Sequence, residues 1–406
     1  MLALAAFAMP TPFARVLLVL AMALVSAGAH AVVVGWALAS FPRLRRHRRP
    51  ILACVAILIV ALPSTRWAAM RTHGDLALTL HAFGMVELLV VGLALVPIAV
   101  LRVGLWLAYR RRKPKAAPAA DLPAAAQTAG IGRRQAIERV VGLGALGSSV
   151  AACGWGMRAR HIFEVEEVTV RIPGLPRALE GYTLAQISDI HIGLFVGDRE
   201  LAEGLSRVRD VGADMLLVTG DLVDMDARHA PRLARALADA SPRDGVVAIL
   251  GNHDYYAGAS IVTDAMRAAG IEMLVNAGKT VRPGDGGGFA LLGVDDLWGK
   301  ARGGPGPLLD RAAAMVPSDL PRVLLAHQPF YFRTAAGKVA LQLSGHTHGG
   351  QINPGINMAS FVSHYVAGRY ERNGSTLWVN RGFGVVGAPV RIGAPPEVSK
   401  IVLVGA

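Results

Sequence analysis

The sequence predicts an α/β domain preceded by membrane-spanning helices. The first 160 residues are largely apolar, whereas the remainder alternates short apolar runs of strand character with stretches of helical periodicity. Charge divides in the same place: residues 1–160 hold 19 Lys and Arg against 4 Asp and Glu, and residues 161–406 hold 23 against 25. A chain of 406 residues has room for two or three domains, so we expect a membrane part and a globular part.

Residues 1–112 are predicted to form a transmembrane helical region of about three spans. Its apolar segments are residues 16–39, 51–70 and 76–101, and the first and third exceed the about 20 residues that a hydrocarbon core requires. The second has a strong apolar run only over residues 51–63, but basic clusters at 43–49 and 102–115 lie on either side of the second and third segments. Because both clusters belong on the cytoplasmic side, two crossings must separate them.

An Ala- and Pro-rich basic linker, residues 113–135, and a fourth apolar segment, residues 136–160, follow. Arg133 and Arg134 precede the fourth segment as in a twin-arginine export signal. Either this segment spans the membrane or, because five glycines weaken it, it lies on the inner face as a short amphipathic helix. We favour a span or signal-like anchor, with the globular part outside the cytoplasm. Cys153 ends a lipobox-like tetrad, which leaves a lipid anchor open.

The strongly basic balance does not indicate a nucleic-acid partner. The excess lies between the apolar segments and not on the globular part, where it is typical of a topology signal. Neither of the two cysteines lies in the globular part, so no disulfide framework or thiolate metal site is expected there.

Polar residues follow five apolar runs of the globular part. The runs are residues 182–187, 215–219, 246–250, 323–326 and 341–343. The polar residues after them are Asp189 and His191, Asp221 and Asp224, Asn252 and His253, His327, and His346 and His348. Open α/β sheets place their chemistry at strand ends, so we expect these side chains to converge on one site.

The residue types suit a hydrolytic site with two divalent cations. Two cations about 3.5 to 4 Å apart screen the negative oxygens of a phosphate ester and lower the pKa of a shared water. Carboxylate, imidazole and amide oxygen suit Mn, Fe, Zn or Co, and Mg is a further candidate. The period of two along an extended chain would place Asp189 and His191 on the same side, and likewise His346 and His348.

The order D-x-H, G-D-x-x-D, G-N-H-D, H and G-H-T-H-G-G-Q, together with residues 380–384 and 391–398, resembles the calcineurin-like metallophosphoesterases. Within them it is similar to the membrane-associated or exported bacterial branch of YkuE- and YaeI-like phosphoesterases. The resemblance covers residues 161–406 and implies a four-layer αββα sandwich. The alternation of elements alone does not distinguish this from a doubly wound sheet. Helices are predicted near residues 199–209, 231–238, 261–269 and 307–314.

The resemblance also implies a role for each polar residue. The first metal would be held by Asp189, His191, Asp221 and His348. The second would share Asp221 and add Asn252, His327 and His346. His253 would not be a ligand but would stabilise or protonate the leaving group, and Asp224 would orient it, because a carboxylate that accepts from one imidazole nitrogen fixes the tautomer.

One departure from the family pattern narrows the substrate class. Protein phosphatases of the superfamily carry Arg-Gly after G-D-x-x-D, where this chain has Met225 and Asp226. Phosphoprotein substrates are therefore disfavoured, and Arg381 or Arg391 could grip phosphate instead. Residues 352–375 are either a substrate wall or a cover for the core edge.

These observations predict a membrane-anchored dimetal phosphohydrolase that cleaves phosphodiester, phosphomonoester or pyrophosphate bonds by a metal-activated hydroxide. A lipid-linked or envelope substrate is favoured, because tethering concentrates substrates on the same surface. We place the protein in the bacterial inner membrane, multi-pass, with the catalytic domain on the periplasmic face. An alternative is a UDP-2,3-diacylglucosamine pyrophosphatase-like enzyme of lipid A synthesis, which a cytoplasmic domain would favour. A non-enzymatic, metal-stabilised binding module is the competing class.

Overall fold

The computed structural model describes residues 12–72, 75–111, 132–281 and 287–406. Nearly all of the predicted linker, residues 113–135, lies outside these ranges. The chain divides into two compact units, an N-terminal unit up to Gly154 and a C-terminal unit from Trp155 to Ala406.

Four long helices account for the described N-terminal residues. They are α1 (Pro12–Ser40), α2 (Arg48–Thr72), α3 (Asp75–Arg111) and α4 (Arg133–Ala159), with a 3-10 helix at Pro42–His47 between the first two. The candidate membrane spans, by length and composition, are Val19–Ser40, Pro42–Thr65, Leu76–Ala108 and Arg133–Ala159. Both the weaker second segment and the fourth are therefore continuous helices of spanning length.

Packing within the N-terminal unit explains a glycine of α4. The Trp36 indole lies against Gly142, where an added Cβ would come within 2.0 Å of the ring. Trp36 Nε1 donates to the Glu138 carbonyl oxygen at 2.8 Å. On α1 and α3, His30 Nε2 lies 2.9 Å from Glu87 Oε1, so both polar side chains are paired inside an apolar bundle.

Two six-stranded sheets form the centre of the C-terminal unit. The first has the order β1-β12-β2-β3-β4-β5 and the second β10-β11-β9-β8-β7-β6. Strands β2, β3 and β4 are parallel, as are β7, β8 and β9. The bounds are β1 Glu164–Ile172, β2 Thr183–Ile187, β3 Met215–Thr219, β4 Val246–Ile249, β5 Glu272–Met273, β6 Ala277–Val281, β7 Phe289–Gly293, β8 Arg322–Leu325, β9 Leu341–Ser344, β10 Gly368–Arg372, β11 Ser375–Val379 and β12 Glu397–Gly405.

Helices cover the outer faces of the two sheets. The helices of this unit are α5 Asp198–Val211, α6 Ala230–Ala238, α7 Asn252–Ala257, α8 Ala259–Ala268, α9 Leu309–Ala313 and α10 Phe332–Ala335. A buried cluster joins α5, α6 and α8 to the first sheet, and another joins α9 and α10 to the second. A third cluster, including Leu217 and Leu325, fills the space between the sheets. The predicted four-layer αββα sandwich is confirmed.

The five strands and four helices predicted for the globular part lie within two residues of β2, β3, β4, β8 and β9 and of α5, α6, α8 and α9. The other strands and the short helices α7 and α10 were not predicted from the sequence. Strand β10 falls inside residues 352–375, for which the sequence predicted no regular element. It is an edge strand that pairs with β11, and its Arg369, Glu371 and Arg372 are charged. Charged residues are typical of exposed sheet edges and remove the apolar alternation by which a strand is recognised.

Candidate metal centre

The polar residues predicted from the sequence come together at the carboxyl ends of five strands. Asp189 and His191 follow β2, Asp221 follows β3, Asn252 begins α7 after β4, His327 follows β8, and His346 and His348 follow β9. Gln186 of the first sheet donates to the Ser344 carbonyl oxygen of the second at 3.0 Å, so the two sheets are linked beside the site. All of these ligand candidates except the half-buried His346 are buried.

The ligand loops are not extended, and the extended-chain explanation for the paired side chains is wrong. Asp189 and His191 have φ of 55° and 50°, and His346 and His348 have φ of 72° and 51°. Side chains two residues apart still meet in each loop, where both members of the pair have positive φ and the residue between them does not.

Asp189, His191 and His348 form the first potential ligand group. His191 Nε2 lies 3.0 Å from His348 Nε2, and Asp189 Oδ1 lies 3.4 Å from the same His348 atom. Asp189 also accepts the backbone N–H of His346 at 2.8 Å, which joins the loops after β2 and β9.

A second group comprises Asp221, His327 and His346. Asp221 Oδ2 lies 3.3 Å from His327 Nε2 and 3.5 Å from His191 Nε2, so one carboxylate oxygen stands between the two groups. His327 Nε2 is also 3.2 Å from both His346 Nδ1 and Asn252 Oδ1. The structure thus brings together all seven predicted ligands.

These distances fit a pair of bound cations. Two ligand atoms that each lie about 2.1 Å from a shared cation are themselves about 3 Å apart. The His327 Nδ1–H donates to the Thr219 carbonyl oxygen at 2.8 Å, which leaves the Nε2 lone pair free to bind a metal. Two imidazole nitrogens that face each other at 3.0 Å, as in His191 and His348, are also typical of shared coordination.

His253 and Asp224 lie beside these groups. His253 Nδ1 is 2.8 Å from the backbone oxygen of Asp224 and 3.2 Å from its carboxylate, so both groups of Asp224 orient the ring. The His253 backbone N–H donates to Asp221 Oδ1 at 2.8 Å, and its ring packs edge-on against His191. His253 also falls within ligand distance of His191 and Asp221, as a third potential group.

Burial and charge act in opposite directions on the pKa values of the site. Burial lowers the pKa of His191 to about 3 and that of His346 to about 4, so both imidazoles are neutral at physiological pH, as metal binding requires. For His253 burial also lowers the pKa, but the carboxylates of Asp221 and Asp224 outweigh it and raise the pKa to about 9. Burial would raise the pKa of Asp221, yet His327 and His253 hold it well below its usual range.

The two arginines considered for phosphate binding have other partners. The Arg381 guanidinium contacts Glu397 at 2.8 Å, Glu166 at 2.9 Å and Glu164 at 3.0 Å. Arg391 is fully buried and donates to four backbone carbonyls. Neither guanidinium therefore faces a substrate in this arrangement.

Two residues near the site were not identified from the sequence. Asp254 is fully buried and accepts the backbone N–H groups of Gly251 and Val223, and burial together with Asp221 raises its pKa to about 7. The Arg302 guanidinium lies 5.1 Å over the Tyr256 ring, which in turn is 5.2 Å from that of His253. The last residue of G-N-H-D was a signal for Asp254, whereas no sequence pattern points to Arg302.

Comparisons with known proteins agree with this geometry. A model of the calcineurin-like phosphoesterase family matches residues 182–350. The chain is 34% identical over 249 residues to a transmembrane protein with metallophosphoesterase domain from Danio rerio, covering 59% of this chain and 57% of that relative. It is 28% identical over 282 residues to the metallophosphoesterase YkuE of Bacillus subtilis, covering 67% and 97%. A metallophosphoesterase of Aquifex aeolicus is 32% identical over 250 residues, covering 60% and 93%.

Proposed function

This chain belongs to the calcineurin-like phosphoesterase family, and on that premise we propose that it is a membrane-anchored, metal-dependent phosphohydrolase. The observation that carries the proposal is the convergence of seven buried or half-buried ligand candidates, with Asp221 placed between two groups. The chain spans 57% of the length of the Danio rerio relative, so the activity of the whole protein is part of this proposal.

Two divalent cations of the Mn, Fe, Zn, Co or Mg class would occupy the site. Asp189, His191 and His348 would hold one, Asn252, His327 and His346 the other, and Asp221 both. When bound, such cations screen the charge of a phosphate ester and lower the pKa of water. The protein would contribute the imidazoles of His191, His327, His346 and His348 and the carboxylates of Asp189 and Asp221, which the fold already brings together.

The protein's own acid is His253. Its Nδ1–H is held by Asp224, which leaves Nε2 as the atom that exchanges a proton with the leaving oxygen. Although burial lowers the pKa of the ring, the carboxylates of Asp221 and Asp224 raise it to about 9, and a protonated imidazole can donate to an alkoxide or phosphate leaving group.

The membrane helices favour a substrate that is itself confined to a membrane. Four candidate spans and the name of the Danio rerio relative support membrane association. We propose a multi-pass protein of the bacterial inner membrane with its catalytic domain on the periplasmic face, because a crossing by α4 carries the domain outside when the basic clusters are cytoplasmic. A lipid-linked or envelope phosphodiester, phosphomonoester or pyrophosphate is the proposed substrate class.

The UDP-2,3-diacylglucosamine pyrophosphatase-like activity remains the specific alternative if the domain is cytoplasmic. Reporter fusions after Ala406 and within residues 113–131 would decide the orientation. A periplasmic reading at the C-terminus combined with a cytoplasmic reading in the linker supports the periplasmic placement. Cytoplasmic readings at both positions exclude it.

The test of the enzyme uses the full chain in detergent with Mn supplied and aryl phosphodiester and phosphomonoester substrates. We expect metal-dependent turnover that Asp221→Asn lowers by about 10³-fold or more. His253→Ala should keep its metal and lose about 10²- to 10⁴-fold in kcat. A wild-type protein that binds metal and hydrolyses neither ester nor a lipid pyrophosphate would instead support the binding-module alternative.

A further inference from the structure

An exposed apolar loop follows the G-H-T-H-G-G motif. In this apolar loop, residues 354–363, four large side chains within seven residues are mostly exposed: Ile356 and Met358 at 61%, Phe361 at 74% and Val362 at 81%. The chain from Gly349 to Ser363 carries no ionisable side chain. Single exposed apolar residues are normal on a protein surface, but four within seven positions of an uncharged segment indicate an interaction site.

Hydrogen bonds fix the apolar loop to the metal centre. The side-chain amides of Asn353 and Asn357 both donate to the Gly349 carbonyl oxygen, at 2.9 and 3.2 Å. Gly350 has φ of 88°, and a Cβ there would come within 2.5 Å of Asn357 Oδ1. The loop therefore leaves His348 in a defined direction. Met358 and Phe361 lie in a short 3-10 helix, Met358–Phe361, that Asn357 caps, and Val362 follows it directly.

The apolar loop is also joined to the residues that leave the candidate span. Ile352 pairs with Ile392, and the Asn353 N–H donates to the Ile392 carbonyl oxygen at 2.7 Å. The adjacent Arg391 N–H donates to the carbonyl oxygen of Gly156 at 3.0 Å. Gly156 lies in the last turn of α4, the helix that forms the candidate span Arg133–Ala159.

The same helix end presents further apolar surface. Trp155 is 60% and Met157 43% exposed, and Arg158 follows them in the last turn. Trp and basic residues at the end of a spanning helix are typical of the membrane interface. The segment 390–392 is therefore bonded to the last turn of α4 through Arg391 and, through Ile392, to Asn353, which directly precedes the apolar loop.

From this arrangement we propose that the apolar loop inserts into the interface of the bilayer that α4 enters, so that the metal centre operates at the lipid surface. Insertion would mean that the enzyme binds its substrate at the lipid surface. This part rests on the proposed function, whereas the insertion itself does not. Continuity with the candidate span favours a bilayer over a protein partner or a second copy, because Arg391, next to the residue that pairs with Ile352 just before the loop, is bonded to Gly156 in the last turn of that helix.

Site-specific labelling of the full chain in lipid nanodiscs tests the insertion without any turnover. The two native cysteines are replaced, as Cys54→Ser and Cys153→Ala, and a nitroxide is attached at Phe361→Cys or Val362→Cys. The control is Ser318→Cys, because exposed Ser318 precedes β8 whereas His327 follows the same strand at the end that bears the site. Collision with oxygen in the lipid is compared with collision with a water-soluble nickel complex.

We expect the ratio of oxygen to nickel collisions to be at least about fivefold higher at positions 361 and 362 than at 318. Equal ratios at all three positions would overturn the proposal. Protection of both loop positions from both reagents, with spin–spin coupling between copies, would show that a second copy covers the loop; protection without such coupling would show a protein partner. Either result also overturns it.

A second experiment compares turnover of a lipid-borne substrate with turnover of a water-soluble one. For Val362→Asp we expect the turnover of a phosphate ester carried on lipid, relative to a water-soluble aryl ester, to fall about tenfold, because a buried charge opposes insertion. The same ratio should be unchanged in Ser318→Asp. An unchanged ratio in Val362→Asp contradicts the insertion, whereas an inactive wild-type protein contradicts the proposed function and leaves the labelling result standing.

Discussion

Replacing Arg391 tests whether a fully buried guanidinium holds the loops of the metal centre together. It donates to the carbonyl oxygens of Arg381, Gly384 and Ala394 at 2.9 to 3.0 Å and to that of Gly382 at 3.0 Å. Arg391 Nη2 also lies 3.3 Å from His348 Nδ1, so the same side chain touches a predicted ligand. Arg391→Met keeps an unbranched apolar side chain in place of the aliphatic part of arginine and removes every donor.

The expected loss follows from the hydrogen bonds. At about 1 kcal/mol for each of four lost bonds, the substitution costs about 4 kcal/mol of the free energy of unfolding. For a unit of this size each kcal/mol lowers Tm by about 2 to 4 °C, so Tm should fall by about 8 to 16 °C. Arg391→Lys keeps the charge but has one ammonium group in place of a planar guanidinium. Its Tm should lie between that of the wild type and that of Arg391→Met.

The assay is thermal unfolding of the full chain in detergent, with kcat and KM measured below Tm. A Tm within about 2 °C of the wild type in Arg391→Met, together with a raised KM for phosphate esters, would refute the reasoning. That combination would return Arg391 to the role of a phosphate ligand. A lowered Tm with KM unchanged supports the structural role.

Three further predictions follow from the packing of the site and the core. Gly251→Ala places a Cβ 2.2 Å from Asp221 Oδ1, so kcat/KM should fall by about 100-fold together with the metal content, and full metal occupancy at normal activity would contradict this. Phe383 is a buried ring that packs on Phe163 with 4.7 Å between the ring centroids. Phe383→Ala should therefore lower the free energy of unfolding, measured with denaturant, by about 3 to 5 kcal/mol, and the control Phe383→Leu by about 1 kcal/mol. A chelator should abolish turnover and lower Tm, and Mn should restore both. The Tm falls because bound cations stabilise only the folded state. Activity that survives exhaustive chelation would exclude a metal mechanism.

The residue patterns predicted an α/β domain after membrane-spanning segments, the family resemblance added the four-layer arrangement, and the strand ends predicted which polar side chains come together. Parallel strands place their carboxyl ends at one edge, so polar residues after five buried runs had to lie near one another. That reasoning located even His327, which has no local motif. It did not predict the role of Arg391, because donation to four backbone carbonyls depends on where two loops meet and leaves no pattern in the sequence.

Other features were missed because local patterns have more than one structural outcome. The glycines of residues 136–160 appeared to weaken a spanning helix, but Gly142 is the position where Trp36 packs against α4. A glycine that lowers helix propensity can still favour a helix in a bundle, since it permits close approach of a large side chain. The sequence alone does not show which neighbour is present.

The backbone at the candidate metal centre holds predicted ligands in unusual conformations. Among the nine non-glycine residues with positive φ in the described part of the chain, five are predicted ligands: Asp189, His191, Asp221, His346 and His348. Such conformations cost about 1 to 3 kcal/mol each, and glycine, which would avoid the cost, has no ligand atom.

Contacts between the strand ends maintain this strained backbone. The Asp189 and His191 N–H groups donate to the carbonyl oxygens of Gly220 and Asp221, each at 3.0 Å, so the loops after β2 and β3 hold each other. Gly345 N–H donates to the His327 carbonyl oxygen at 3.0 Å and joins the loops after β8 and β9 in the same way. Because neighbouring loops determine these conformations jointly, the ligand positions are set by the fold before a cation binds, and a substitution that loosens one loop should displace the ligands of both groups.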